Sequence, residues 1–452
     1  MIHSKKIERM SKAVKSILLF YILLFLPIAM QAQVEVTEDE TEDDEDEIVV
    51  TDQKGNEEII EFPEAMTFDL DSLLNLYMAK TYLSDDSDCN MPDVNPTYSK
   101  EEYIERLSRM PCVMEMPYNE VVQKFIDRYS GRLRHSISYM LGASNFYMPI
   151  FEEALEIYQL PLELKYLPII ESALNPNAVS RVGATGLWQF MLTTGRQYGL
   201  NVNSLLDERR DPQKASLAAA RYLSDLYKIF GDWNLVIAAY NCGPENINKA
   251  IHRAQAANKD SLINVKDYWQ IYPYLPKETR GYVPAFIAAN YIMTYYSLHN
   301  ICPMATRLPS KSDTIMLSRN VHLEQVAEVV GINIDLLRSL NPMYRRDVVP
   351  GATAPSPLRL PQTEISKFID LEDSVYNYKA TELLSNRLEV AVKDDVPTYY
   401  HKSKRYARGK KGRYSKRTKV SRKSRATKKT KAKKTKAKTT KKRKSTKKRK
   451  RR

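Results

Sequence analysis

The sequence predicts a mainly α-helical protein with one small βααβ unit, flanked by charged segments that have no core of their own. Three observations lead there. From Tyr98 to about Asn300, apolar residues recur at three- and four-residue steps and strand-like alternation is nearly absent. From Asp313 to Pro361 the rhythm changes to strand, helix, helix, strand. Charge is also segregated. His401 to Arg452 holds 30 Lys and Arg and no Asp or Glu, so the net +14 of the 452 residues hides a net −16 over residues 1–400.

The elements follow in order. Lys5, Lys6, Arg9, Lys12 and Lys15 precede an apolar run from Ile17 to Met30, and Ala32 supplies a small residue for cleavage. A run of this length is short for a membrane span of about 20 residues and fits a signal peptide over 1–32, an uncleaved anchor being the alternative. No cysteine follows it that could carry a lipid. Residues 33–97 read as an acidic, mostly disordered linker. Glu35 to Glu47 contains 10 carboxylates in 13 residues, which repel one another. A short amphipathic piece, Asp69 to Tyr82, is a candidate helix.

Residues 98–300 form the helical domain. Its clearest helix opens at Asp211-Pro212, an N-cap with proline at the first helical position, and ends at Gly231. Asp232 caps the next, which ends near Gly243; further helical stretches are Tyr118 to Leu133, Tyr147 to Gln159 and Tyr282 to Tyr296. Pro303 to Ser312 is a linker. Residues 313–361 are the βααβ unit, with strands at Thr314 to Arg319 and Leu358 to Leu360 and helices at Leu323 to Val330 and Ile334 to Leu340. Residues 362–400 read as a linker with a helix of undefined packing, and 401–452 as a disordered basic tail.

Metal chemistry finds no support. Cys89, Cys112, Cys242 and Cys302 include no CxxC pair, and the six histidines show no HExxH spacing. In an exported chain the cysteines permit disulfides, whose pairing spacing does not give. No metal or cofactor is expected.

One carboxylate stands out. Glu171 lies among Ile169, Ile170, Ala173 and Leu174. Partial desolvation there disfavours its ionised form and raises its pKa, as a general acid working near neutral pH requires. Three further segments supply amides, phenols and an indole. They are GLWQF (Gly186 to Phe190), AYNCGP (Ala239 to Pro244) and ETRGYVP (Glu278 to Pro284). Amides and phenols hydrogen-bond sugar hydroxyls and N-acetyl groups, and aromatic faces stack on sugar rings.

In this order, ES, GLWQF, AYNCGP and ETRGYVP resemble the motif series of family 1 lytic transglycosylases, which share the goose-lysozyme-like α fold. The GLWQ and ETRxYVP forms resemble those of the membrane-bound lytic murein transglycosylase D subgroup. The resemblance spans about 200 residues. It implies that Glu171 is the single catalytic acid and base. It also places Ser172, Gln189, Tyr240, Asn241 and Tyr282 at the substrate, with Tyr282 orienting the carboxylate. The 313–361 unit resembles a LysM domain, a module that binds N-acetylglucosamine-containing glycans. The matching stretches are Val326 to Ile332, Leu337 to Pro342 and Leu358 to Pro361. It departs from the pattern where Ser312-Asp313-Thr314 replaces the usual Gly-Asp-Thr and in the loop Ala352 to Pro357.

The resemblance implies cleavage of the β-1,4 bond between N-acetylmuramic acid and N-acetylglucosamine without water. Glu171 gives its proton to the glycosidic oxygen and then accepts that of the muramoyl C6 hydroxyl, which closes a 1,6-anhydro ring. One carboxylate suffices because the nucleophile is intramolecular, whereas glycosidases use two. Glu163 and Glu208 lie outside the motifs and are expected to face solvent. The rival readings are a goose-type lysozyme that hydrolyses the same bond and a non-catalytic peptidoglycan-binding protein. For the tail the expected partner is an anionic envelope polymer or membrane surface. Nucleic acid is not expected, because the leader directs the chain to the periplasm or cell envelope.

Overall fold

The computed structural model describes residues 47–51, 57–66, 83–84, 89–92, 94–257 and 267–385. The expected signal peptide, the candidate helix at 69–82 and the basic tail lie outside the described residues, as does nearly all of the acidic run.

Two strands, β1 (Glu47–Thr51) and β2 (Glu57–Glu61), pair antiparallel with Ile48 opposite Ile60. A 3-10 turn follows at Glu64–Met66. Ile48, Ile60, Phe62, Ala65 and Met66 are buried in the main core. This part of 33–97 is therefore packed structure, not the linker expected. The strand sequence, Glu-Glu-Ile-Ile-Glu, is short, does not alternate and sits among carboxylates, and its apolar partners lie far along the chain.

β3 (Leu83–Ser84) pairs with β4 (Ala305–Thr306). A disulfide joins Cys89 to Cys302 with Cα atoms 5.7 Å apart, while Cys112 and Cys242 are free thiols. Helix α1 (Lys100–Ser108) starts with a capping box. The Ser99 hydroxyl accepts from Glu102 N at 3.3 Å, and Glu102 Oε2 accepts from Ser99 N at 2.8 Å.

The main core gathers α2 (Glu120–Ser130), α3 (Arg134–Ile157), α4 (Leu167–Ser172) and, beyond the short α5 (Leu192–Gln197), α6 (Pro212–Phe230) and α7 (Trp233–Cys242). Helices α8 (Pro244–Ala257), α9 (Tyr268–Ile271) and α10 (Lys277–Tyr295) complete it. The cap signals at α6 work as the sequence predicts. Asp211 Oδ1 accepts from Gln213 N and Lys214 N at 2.9 and 3.1 Å, and Gly231 ends the helix at φ 67°. Helix α3 runs 24 residues, well beyond the Tyr147 to Gln159 expected. Its first half is rich in small and polar residues, which blurs the apolar periodicity, and tertiary packing explains them. A Cβ on Gly142 would stand 2.0 Å from the Met304 carbonyl oxygen, so only glycine allows the two backbones to meet.

A second core lies in β5 (Ser312–Leu317), β6 (Asn320–His322), α11 (Leu323–Val326), α12 (Ile334–Leu340), β7 (Val348–Pro350) and β8 (Ser356–Pro361). β5 pairs antiparallel with β8, and β6 with β7, a second strand pair that the βααβ pattern did not include. The unit continues further than 361. Helices α13 (Ile365–Asp370) and α14 (Glu372–Asn377), followed by α15 (Ala380–Leu383), bring Phe368, Val375 and Tyr376 into this core. Buried Gln325 donates to Val375 O at 3.0 Å and Tyr378 O at 2.8 Å. The stretch 362–377, read as linker, is thus part of the small domain. Its two helices are too short for periodicity to reveal their buried face.

The two cores meet backbone to backbone. Asp207 N donates to Met343 O at 2.9 Å, Arg345 N to Leu205 O at 2.7 Å, and the Arg345 guanidinium to Asn203 O at 3.2 Å.

Candidate active site

Glu171 occupies the last turn of α4, where Leu167, Ile169 and Ile170 are buried. The helix stops sharply because Ala173 and Leu174 turn left-handed, at φ 49° and 59°. Non-glycine residues rarely adopt this conformation, and full burial of both side chains holds them there. Ala173 N and Leu174 N return to Ile169 O and Pro168 O at 3.0 and 3.3 Å, closing the helix end. Glu171 is thereby set, half-buried, in the wall of a cleft of about 1030 Å³.

The GLWQF segment forms the next wall. Thr185 and Phe190 exchange two backbone hydrogen bonds of 3.1 Å, and Gly186 turns at φ 88°. A Cβ on Gly186 would fall 1.9 Å from the Arg209 carbonyl oxygen, so glycine is required twice over. Arg209 holds this loop from behind. Its guanidinium donates to Phe190 O at 3.1 Å and Gly183 O at 3.2 Å while pairing bidentately with Asp207 at 2.9 Å. Gln189, itself at φ 45°, donates to Gly186 O at 2.8 Å and Ala178 O at 3.3 Å and lines the cleft.

Tyr240 and Asn241 end α7, and Tyr282 lies near the start of α10. The Tyr240 hydroxyl donates to Trp188 O at 2.8 Å, and Asn241 Oδ1 accepts from Thr279 Oγ1 at 2.9 Å. The Tyr282 hydroxyl donates to Glu171 Oε1. Burial pushes the Glu171 carboxyl up from 4.5 to about 7, against the opposing pull of the Tyr282 hydrogen bond. Burial, and then the nearby Glu171 charge, hold Tyr282 and Tyr240 well above the usual phenol range. Both phenols therefore remain donors across the working pH range.

All six residues singled out in the sequence line this cleft: Glu171, Ser172, Gln189, Tyr240, Asn241 and Tyr282. Ser172 differs. It is 1% exposed, and its hydroxyl lies 2.9 Å from both Pro168 O and Leu187 O. Its side chain ties α4 to the GLWQF loop. The Trp188 indole is also withdrawn, fully buried with Nε1 donating to Ser216 Oγ at 2.9 Å, so it offers no face to a sugar.

Glu163 and Glu208 do not face solvent as expected. Glu163 accepts from Val113 N and from Met114 N at 2.9 Å. Glu208 accepts from Asn201 N at 2.7 Å and pairs with Lys214. Their partners lie 50 and 7 residues away or less, and nothing in the local sequence marks them. Sequence reasoning also missed Tyr222, whose ring centroid is 5.3 Å from that of Tyr240, and the Glu61 to Ala65 stretch of the cleft wall. Among the described residues no group of three or more His, Cys, Asp or Glu could hold a metal ion.

With this geometry in place, family comparison is specific. The model of the transglycosylase SLT domain matches residues 148–263, which contain Glu171, Gln189, Tyr240 and Asn241. The chain carries an SLT transglycosylase domain. The LysM-like domain of lytic transglycosylase MltD matches residues 311–377, in accord with a small domain that runs through α14. Membrane-bound lytic murein transglycosylase D of Escherichia coli strain K12 is 32% identical over 264 residues, covering 52% of this chain and 56% of that protein. A putative tributyltin chloride resistance protein of Alteromonas sp. strain M-1 is 37% identical over 93 residues, 20% of this chain and 45% of its own. The soluble lytic murein transglycosylase of Escherichia coli strain K12 is 30% identical over 131 residues, 28% of this chain and 19% of its own. The chain spans about half the length of the first of these relatives.

Proposed function

We propose that this chain is a peptidoglycan lytic transglycosylase, with a catalytic domain over 98–300 and a glycan-binding LysM-like domain from 313 onward. The observation that carries the reading is a cleft carboxyl, Glu171, held near a pKa of about 7 by burial while hydrogen-bonded to Tyr282 inside an SLT domain. A carboxyl so poised is protonated often enough to act as an acid and ionised often enough to act as a base at neutral pH.

Glu171 gives its proton to the glycosidic oxygen as the bond to the muramoyl C1 breaks. The carboxylate then takes the proton of the C6 hydroxyl, which attacks C1 and closes the 1,6-anhydro ring. Tyr282 holds the carboxyl in place and stabilises its ionised form between the two steps. Asn241, Gln189 and Tyr240 supply the amide and phenol groups that fix the sugar. Ser172 is a positioning residue through its bonds to Pro168 and Leu187.

The chain is proposed to work in the periplasm or cell envelope. Among the described residues no helix is long and apolar enough to cross a membrane. The tail at 401–452 is proposed to tether the enzyme electrostatically to an anionic envelope polymer or membrane surface, each engaged cation contributing about 1 kcal/mol. Removal of the tail should then weaken binding to anionic vesicles at low salt.

Digestion of purified sacculi followed by mass analysis tests the function. Muropeptides lighter by one water than their hydrolytic counterparts are expected. Release of reducing, water-added ends would instead make the enzyme a goose-type lysozyme. Release of neither would leave a binding protein.

A further inference from the structure

The cleft has a wall that lies outside the SLT match. Residues 61–66 leave β2 and reach from Gly281 to Arg181, on opposite sides of the groove, and Glu61, Phe62, Pro63, Glu64 and Ala65 line the same cleft as Glu171. One end of this stretch is anchored to the wall that bears Tyr282. A Cβ on Gly281 would lie 2.4 Å from the Glu61 carbonyl oxygen, so the residue beside Tyr282 must be glycine for the strap to lie there. The Phe62 ring packs 4.6 Å from that of Phe125, and the Arg128 guanidinium lies over the Phe62 ring at 4.0 Å.

The other end is anchored to the loop between α4 and the GLWQF segment. Glu64 Oε1 accepts from Arg181 N at 3.0 Å and lies 3.6 Å from Arg181 Nε. Between the anchors the strap lies flat on the protein. Phe62, Ala65 and Met66 are 6%, 5% and 1% exposed, and Met66 N closes a turn onto Pro63 O at 2.8 Å. A polysaccharide following the groove therefore meets a strap joined to both walls, with no passage beneath it.

We propose that residues 61–66 close one end of the active-site cleft, so that the enzyme works from a terminus of the glycan strand and not from its interior. The proposal rests on the glycan-cleaving function above and adds its chain-end specificity. An open groove accommodates sugars on both sides of the scissile bond for any distance, whereas a groove ended by Glu61 to Ala65 limits one side to the few sugars that fit between the strap and Glu171.

The test uses the full-length chain on long, purified glycan strands, with product lengths read at low conversion. Wild-type protein should release short products while the remaining strands stay long. A variant with residues 61–65 replaced by Gly and Ser should release fragments of intermediate length. Intermediate fragments from the wild type, or an unchanged pattern from the folded variant, would overturn the proposal. A second variant guards against misfolding of the first. Glu64→Cys with Arg181→Cys, oxidised to lock the strap onto the loop, should still cleave and should give unchanged product lengths. Loss of cleavage on locking would mean that the strand passes under the strap, and the idea fails. Product chemistry is read separately. Hydrolytic ends would reject the transglycosylase function while product length still decides the strap, and no cleavage by any form would reject both.

Discussion

Glu171 and Glu208 are both drawn away from water, and the protein treats them in opposite ways. At the end of α4, Glu171 is shielded by Ile170 and the turn at Ala173 and Leu174, with one phenol as its partner. Ahead of α6, Glu208 is 3% exposed yet accepts from Asn201 N and Asn201 Nδ2 at 2.7 and 3.0 Å and pairs with Lys214. Burial alone disfavours a charge, while backbone donors and a cation restore it. Glu171 receives the first treatment with little of the second, and its pKa moves to about 7. The position suited to proton transfer is the one that stays under-partnered, and the fully partnered glutamate holds the scaffold.

The largest effect that bears on this contrast is on catalysis. Glu171→Gln should cut release of anhydromuropeptides by about a hundred- to ten-thousand-fold, the contribution of a positioned acid and base. Its melting temperature at neutral pH should not fall. Activity above a tenth of wild type would move the proton-transfer role to another residue.

Glu208→Ala is the counterpart. Removing charge-assisted hydrogen bonds and an ion pair from a buried site should cost about 2–4 kcal/mol of stability, read by denaturant unfolding. The kcat of the folded variant, measured well below its melting temperature, should match the wild type. A drop in kcat comparable to that of Glu171→Gln would erase the distinction between the two glutamates.

Much of this is legible in the amino-acid sequence, and the reasons are physical. The caps of α6 are local, Asp211-Pro212 at one end and Gly231 at the other, and local signals survive in sequence. The apolar residues around Glu171 foretold its desolvation because they are its neighbours along the chain as well as in space. Partners distant in sequence were not legible. The backbone donors to Glu163 lie at Val113 and Met114, and the strap at Phe62 packs on Phe125 and Gly281. Ser172 shows a further limit. An ES pair places two polar residues side by side, but on a helix end adjacent side chains diverge, and the Ser172 hydroxyl turns to Pro168 O and Leu187 O.

A smaller effect should follow from Tyr282→Phe. The hydroxyl's hydrogen bond lowers the Glu171 pKa, so its loss moves the pKa further up from about 7. The alkaline limb of the pH–rate profile should shift upward, and kcat should fall by about tenfold, the worth of about one hydrogen bond to a charged group. A purely structural role for Tyr282 would lower stability and leave the position of that limb unchanged.

The smallest effect tests the same burial through stability. In the unfolded chain the Glu171 carboxyl titrates near 4.5, and in the folded protein near 7. Below pH 4.5 both states are protonated and the group contributes no difference. Between 4.5 and 7 the unfolded state releases a proton that the folded state keeps, so wild-type stability falls across that window and is level above it. Glu171→Gln cannot titrate and keeps the Tyr282 donor paired with its amide oxygen. The variant should therefore gain on the wild type as pH rises through this window. The gain should level off above 7 at about 1 kcal/mol, a value discounted from the full shift because cleft water screens the carboxylate. Unfolding of both proteins by denaturant at pH 4 and pH 8 reads it. An equal difference at the two pH values would mean that Glu171 is not desolvated in solution, and the contrast with Glu208 would then rest on partners alone.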